Sequence, residues 1–195
     1  MLRTLPLAAR ADARLTLLTR LASIALFTLL TALGARVTVE IGPVPLTLQT
    51  LAVFLAGMVL GARDGAYSQI LYVGLIALNL PLDANAVGSA VFLGPTWGYL
   101  VGFIPCAYVA GLLVERAGDR VWQRVAAGLI GSAFVFALGF VVLKFTLGLD
   151  WSTAFTTGVI EFMPENFAKA LIAGGLTEGA RVALLRLLSP GNHLG

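Results

Sequence analysis

The sequence predicts an all-α membrane protein of six transmembrane helices with both termini cytoplasmic, and three observations lead there. Hydrophobic residues make up 58% of the 195 and charged residues 12%, at a mean hydropathy of +0.92, more apolar surface than one soluble core of this size can hide. The apolar residues fall into runs close to the roughly 20 that a helix needs to cross the hydrocarbon layer. The basic residues stand in short flanks between those runs, which is how topology is signalled. Backbone in lipid must satisfy its own hydrogen bonds, and the runs lack the alternation of a membrane barrel, so helices are expected. The net charge of +3 then reads as a topology signal and not as a nucleic-acid surface.

Residues 1–14 read as a basic cytoplasmic segment, residues 15–188 as the six-helix domain and residues 189–195 as a cytoplasmic tail. The first apolar run, Leu15 to Gly34, carries Ala22, Ala25, Thr28 and Ala32, small residues that could form a narrow face for close approach of another helix. A basic start followed by an apolar run also fits a secretory leader, but the equally apolar continuation favours a retained helix. Next comes G-P-V-P-L-T-L-Q-T-L-A-V-F-L-A-G-M-V-L-G-A-R-D-G, Gly42 to Gly65. Pro43 and Pro45 fix an extended lead, and Thr47, Gln49 and Thr50 stand at the mouth of the following helix, so Gln49 is expected to face a pocket rather than lipid. Runs at Leu46 to Ala62, Ala66 to Leu82, Phe92 to Val114 and Val121 to Leu147 follow, with a sixth near Phe167 to Leu188. The second and third are short and are expected inside the bundle. Trp151 to Met163 is too short to span and reads as a loop or partial helix at the outer mouth. Cys106, the single cysteine, sits in an apolar run where it packs and forms no internal disulfide.

The arginines orient these runs. One side receives Arg3, Arg10, Arg14, Arg20, Arg63, Arg116, Arg120, Arg124, Arg181 and Arg186; the other receives Arg36 and Lys144, with Lys169 near the outer start of the sixth helix. The richer side is cytoplasmic. Three connections then lie outside: Ala35 to Pro45, Asp83 to Gly94, and Gly148 to Asn166.

Those outer loops hold the unusual residues. In G-P-T-W-G-Y, Gly94 to Tyr99, Pro95 suits a helix start, Trp97 suits an interface anchor better than a pocket wall, and Tyr99 is open between the two. Asn79 and Asn85 flank the middle loop, and an asparagine both donates and accepts, which suits an amide-like or urea-like ligand; Asn85 on its own reads as a turn residue. In E-F-M-P-E-N-F-A-K-A-L, Glu161 to Leu171, Pro164 marks a helix start and places Asn166 and Lys169 three apart on one face. A charge at a bilayer edge is costly unless paired or hydrated. Lys169 therefore either serves a ligand site, snorkels to the surface, or pairs with Glu165 or Glu161.

Four motifs in order, P-V-P-L-T-L-Q-T, L-A-G-M-V-L-G-A-R-D-G-A, L-G-P-T-W-G-Y-L-V-G-F and M-P-E-N-F-A-K-A-L, resemble the BioY family, the substrate-binding S components of biotin transporters of the energy-coupling factor type. The similarity runs over about Leu21 to Leu188. The resemblance implies an S component in the cell membrane, inner or plasma, that captures biotin from the outer side and delivers it inward. It further implies as partners a transmembrane coupling subunit and two cytoplasmic ATPase subunits, the S component tilting as it docks. Ala22 and Ala25 are where that docking is expected. The family's P-G-D-x-x-K-like motif lands on Pro164, Glu165, Asn166 and Lys169: Lys169 matches, and Asn166 stands where an aspartate is usual. An ionised carboxylate accepts ureido N–H bonds more strongly than the asparagine carbonyl that replaces it. Glu165 or Glu161 could supply another acceptor. Asn85 becomes a second ureido contact, and Gln49 and Tyr99 line the pocket.

Biotin itself suits an apolar pocket with a few polar groups and one cation, for which Lys169 is the candidate. The chain has no G-x-x-x-x-G-K-S/T loop, so ATP would be hydrolysed by a partner. No cofactor or metal is expected. The lone His193 lies in the tail, Cys106 stands alone and the carboxylates form no ligand repeat, which argues against a membrane enzyme. The alternatives are an S component for a different vitamin and a non-transporting structural membrane subunit.

Overall fold

Hydropathy decides where the helices form, and proline, glycine and a few carboxylates decide where they end. The computed structural model describes residues 17–40, 42–117 and 120–188. The basic segment 1–14 and the tail 189–195 lie outside the described residues, and with them both termini. The elements are α1 (Leu17–Arg36), β1 (Thr38–Val39), β2 (Leu46–Thr47), α2 (Gln49–Leu60), α3 (Ala62–Ala77), α4 (Trp97–Ala117), α5 (Val121–Leu147), α6 (Trp151–Gly158) and α7 (Met163–Leu188). Short 3₁₀ turns occupy Gly88–Leu93 and Ile160–Phe162. Among the described residues three helical stretches, Leu17–Arg36, Trp97–Arg116 and Val121–Leu147, are long and apolar enough to cross a membrane.

Several boundaries differ from those expected. The run predicted from Leu46 begins as a strand: β2 pairs antiparallel with β1, Thr38 opposite Thr47 and Val39 opposite Leu46. Pro43 and Pro45 have no amide to give a helix. Hydropathy alone does not separate a short apolar strand from the helix that follows it. What remains is α2, 12 residues or about 18 Å. It is apolar on every side and buried at nine of its positions, from Gln49 to Leu60, as befits a central helix. Gly61, at φ +90°, reverses the chain directly into α3, so α3 starts at Ala62 rather than Ala66. It stops at Ala77 rather than Leu82, where Asn79 takes a positive φ of 67°. The fourth run starts at Trp97 rather than Phe92, because Gly88–Leu93 is a 3₁₀ turn and Pro95 follows it. The sixth starts at Met163, with Pro164 in its first turn. Trp151 to Gly158 forms the partial helix α6, capped by Asp150, whose carboxylate accepts from the Thr153 amide at 3.0 Å and hydroxyl at 2.6 Å. Those bonds hold the Asp150 carboxyl below the usual carboxylate range.

α2 packs against α1, α3, α4 and α7, while α4 and α5 lie along each other. A Cβ on Gly102 would stand 2.6 Å from the Val135 Cα, so only glycine lets those backbones approach this far. Polar ties cluster at the two ends of the bundle. At one end Arg20 grips Asp64 through two bonds of 2.7 and 3.1 Å. There too Glu115 accepts from the Ala62 amide at 2.8 Å, Arg181 donates to the Met58 carbonyl at 2.6 Å, and Arg124 donates to the Gly174 carbonyl at 3.1 Å. At the other end Tyr99 donates to the Gly158 carbonyl at 2.9 Å, and Lys169 reaches Thr47 and Thr50. Between the two ends α1 and α5 expose large apolar side chains such as Leu21, Leu29, Ile130, Phe134 and Leu138. Such a band facing outward fits lipid and not water.

The small residues of α1 do not form one face. Ala22 and Ala25 are exposed, whereas Thr28 and Ala32 are buried inside the bundle, Thr28 donating to the Ser68 carbonyl of α3 at 2.8 Å.

Candidate ligand-binding site

At the end opposite the arginines, the β1–β2 hairpin, the Asp83–Asn85 loop and the first turns of α2, α4 and α7 surround a cleft of about 650 Å³ counted to its mouth. Its walls are mostly apolar: Val44, Leu100, Phe103, Val135, Phe136 and Phe162 among them. Gln49, Asn85, Tyr99, Asn166 and Lys169 all line it, brought together from four separate parts of the chain.

Lys169 is 5% exposed, and its ammonium uses all three of its hydrogens. It donates to the Thr47 carbonyl, to the Thr50 hydroxyl at 3.0 Å, and to the Glu165 carboxylate, paired at 2.7 Å one helical turn earlier. The ammonium thus does not snorkel, and its carboxylate partner is Glu165; Glu161 is exposed and lies off the cleft. Asn166, 2% exposed, donates through Nδ2 to the Ser132 hydroxyl at 2.9 Å, and its Oδ1 is buried with no partner among the described residues. An unmatched buried acceptor costs about 1–3 kcal/mol, which a ligand N–H would offset.

Gln49 lines the cleft with its amide already engaged. Nε2 donates to the Tyr72 hydroxyl at 2.6 Å, Oε1 accepts from Thr47 at 2.9 Å, and Tyr72 passes its own hydrogen to the Leu82 carbonyl at 2.9 Å. It braces the hairpin against α3. Tyr99 lies with its ring against Phe162, centroids 6.3 Å apart, and its hydroxyl is spent on Gly158; it offers the cleft a wall. Asn85 is exposed at the rim. Trp97 is half-buried and does not line the cleft, which leaves it as an anchor.

Asp83 was missed by the sequence reading. It is 1% exposed, lines the cleft, and accepts from the amides of Asn85 at 3.1 Å and Gly88 at 2.7 Å, so it shapes the loop that presents Asn85. Its signal was a carboxylate two residues before an asparagine in an otherwise apolar outer loop. Ser132 was missed too, since a hydroxyl in a membrane helix more often bonds its own helix; Thr50, read at the helix mouth, is a partner of Lys169. With one ammonium against the carboxylates of Glu165 and Asp83 the cleft has no excess positive charge, and its unmatched Asn166 acceptor suits a ligand group that offers an N–H.

The sequence profile of the BioY family matches residues 8–186. The chain belongs to the BioY family. It is 41% identical over 149 residues to the "Biotin transporter BioY" of Thermotoga maritima, an alignment that takes in 76% of this chain and 87% of that protein. With the "Biotin transporter BioY2" of Lactococcus lactis subsp. cremoris it shares 32% identity over 178 residues, 91% of this chain and 96% of that one. Its fold is similar to the crystal structure of the S-component for biotin from an ECF-type ABC transporter, with a TM-score of 0.77, 24% identity, and coverage of 85% of this chain and 92% of that chain. At that identity the likeness speaks to fold alone. In this BioY-family chain the cleft is set by the helices, hairpin and loops of a fold similar to that of the crystal structure.

Proposed function

We propose that this chain is the substrate-binding S component of a biotin transporter of the energy-coupling factor type. The observation that carries the reading is the extent of the relationship: 41% identity across 87% of a protein named as a biotin transporter. The cleft supports it chemically. Biotin has an apolar ring and chain, a neutral urea and one carboxylate; an apolar cleft with the unmatched Asn166 acceptor and the Lys169 ammonium at one end suits the urea. The ureido head binds at Asn166 and Lys169, Asn85 closes on it from the rim, and Tyr99 and Gln49 hold the walls.

In this reading six helices, α1 to α5 and α7, cross the cell membrane, inner or plasma, with both termini cytoplasmic and the cleft facing outward. The positive-inside rule supports that orientation, since the arginine-rich end is the one away from the cleft. ATP is hydrolysed by two cytoplasmic ATPase subunits, reached through a transmembrane coupling subunit that docks on the exposed Ala22 and Ala25 of α1. The test is equilibrium binding of biotin to the detergent-purified chain without ATP, with thiamine and riboflavin as competitors. Saturable binding of biotin alone is expected. Preference for a competitor would make the chain an S component for another vitamin, and no vitamin binding by folded protein would leave a structural subunit.

A further inference from the structure

Ser132 lies on α5, 2% exposed, facing the start of α7. Its hydroxyl has one hydrogen, donated to the Leu129 carbonyl at 2.8 Å, so toward any other neighbour its oxygen can only accept. Asn166 meets that oxygen at 2.9 Å. The two ends of a side-chain amide are nearly alike in shape and are told apart by hydrogen bonding. An oxygen facing Ser132 would find no hydrogen there; the NH₂ finds an acceptor. The Leu129 carbonyl thus sets Ser132, and Ser132 sets the Asn166 amide. The remaining end, Oδ1, is the buried acceptor left without a partner, on a residue that lines the cleft. Ser132 itself lines not the cleft but a neighbouring apolar chamber between α5, α6 and α7, and Asn166 and Phe136 line both.

We propose that Ser132 is a positioning and specificity-determining residue: by accepting from Asn166 Nδ2 it fixes Oδ1 as the group offered to the ligand, so that the cleft selects a head bearing N–H donors. The inference rests on the biotin reading above. An amide free to turn would present NH₂ to a urea N–H in part of the population, and two donors do not bond. An ionised carboxylate at the same place would have no hydrogen for Ser132 and would draw the hydroxyl away from Leu129. Asparagine at 166 and a hydroxyl at 132 are therefore one unit.

The experiment measures Kd for biotin and for two biotins, each methylated on one ureido nitrogen, on the detergent-purified parent chain, Ser132→Ala, Ser132→Thr, Asn166→Ala and the double variant Ser132→Ala with Asn166→Ala. Melting curves are taken alongside. The parent should reject at least one methylated biotin. Ser132→Ala should bind biotin about 5- to 10-fold more weakly and lose that preference by a similar factor, while Ser132→Thr, which keeps the hydroxyl, stays near the parent. In the Asn166→Ala background the serine change should add nothing. Should Ser132→Ala fail to fold, Ser132→Cys, similar in volume with a weak acceptor, takes its place. A Ser132 variant that melts as the parent does and keeps both affinity and preference overturns the proposal, as does an equal loss on adding Ser132→Ala to Asn166→Ala. A folded parent that does not bind biotin overturns the reading beneath it, and this inference with it.

Discussion

Lys169 shows why identity and environment must be read together. A lysine near a bilayer surface has several ordinary fates, and the sequence left three open; the cleft removes snorkelling, because Thr47, Thr50 and Glu165 take all three hydrogens, and leaves the pair with Glu165 together with a place in the ligand site. A ligand acceptor must therefore displace a partner, and Glu165, whose side chain is 28% exposed against 6% for Lys169, is the one with somewhere to go. Lys169→Met keeps the stem and removes the charge-assisted bond, worth about 1.5–3 kcal/mol, so biotin Kd should rise on the order of 10- to 100-fold by equilibrium binding. Parent-like affinity would take Lys169 out of the site. Gln49 behaves differently because its amide is bonded at both ends to protein. Gln49→Ala should lower the melting temperature, since it removes the bonds from Tyr72 and Thr47 to one amide and loosens the hairpin. It should weaken biotin binding less than Lys169→Met does, and a larger loss without any fall in melting temperature would show direct contact instead.

At the scale of elements, what the sequence made legible was what hydropathy and proline can encode. α5 coincides with its predicted run, and α1 and α6 lie where apolar length and brevity put them. The cleft end was legible in part: Gln49, at a proline-led helix mouth, was expected to face a pocket, whereas Asn85, Tyr99 and Lys169 each had an ordinary alternative and were grouped with Asn166 through the family resemblance; all five line the cleft. The hairpin was not legible, since Leu46 and Thr47 read as helix to any hydropathy window, and neither was the loop-free joint at Gly61. Asp83 and Ser132 stayed hidden because their importance lies in what they bond to, and that is set by tertiary contact. Nor does a sequence show which glycines touch another backbone. Gly102 does, and a side chain there meets the Val135 backbone of α5, which cannot swing aside. Gly102→Leu should cost about 1–3 kcal/mol and lower the melting temperature by roughly 3–10 °C. An unchanged melting curve would mean that α4 and α5 do not lie this close.

Over the whole molecule the polar chemistry divides into two ends with different jobs. The cleft end holds Asn166 Oδ1, a buried acceptor with no partner among the described residues, and the Lys169–Glu165 pair beside it. The other end is tied by Arg20 to Asp64 and by Arg124 and Arg181 around Glu178, at 3.5 and 3.6 Å. Those bonds join α1 to α3 and α5 to α7. In the proposed complex the coupling subunit docks on the outward face of α1, where Ala22 and Ala25 are exposed while Thr28 and Ala32 are buried farther along the helix. Their small size permits a partner helix to approach closely in a bilayer, where helices associate through packing. Replacing both with leucine should therefore leave biotin binding by the purified chain within about twofold of the parent. Uptake of labelled biotin by cells that supply the coupling and ATPase subunits should fall at the same time. Parent-like uptake with normal binding would move the docking face elsewhere on the bundle, and a parallel loss of binding would mean that α1 shapes the cleft rather than the complex.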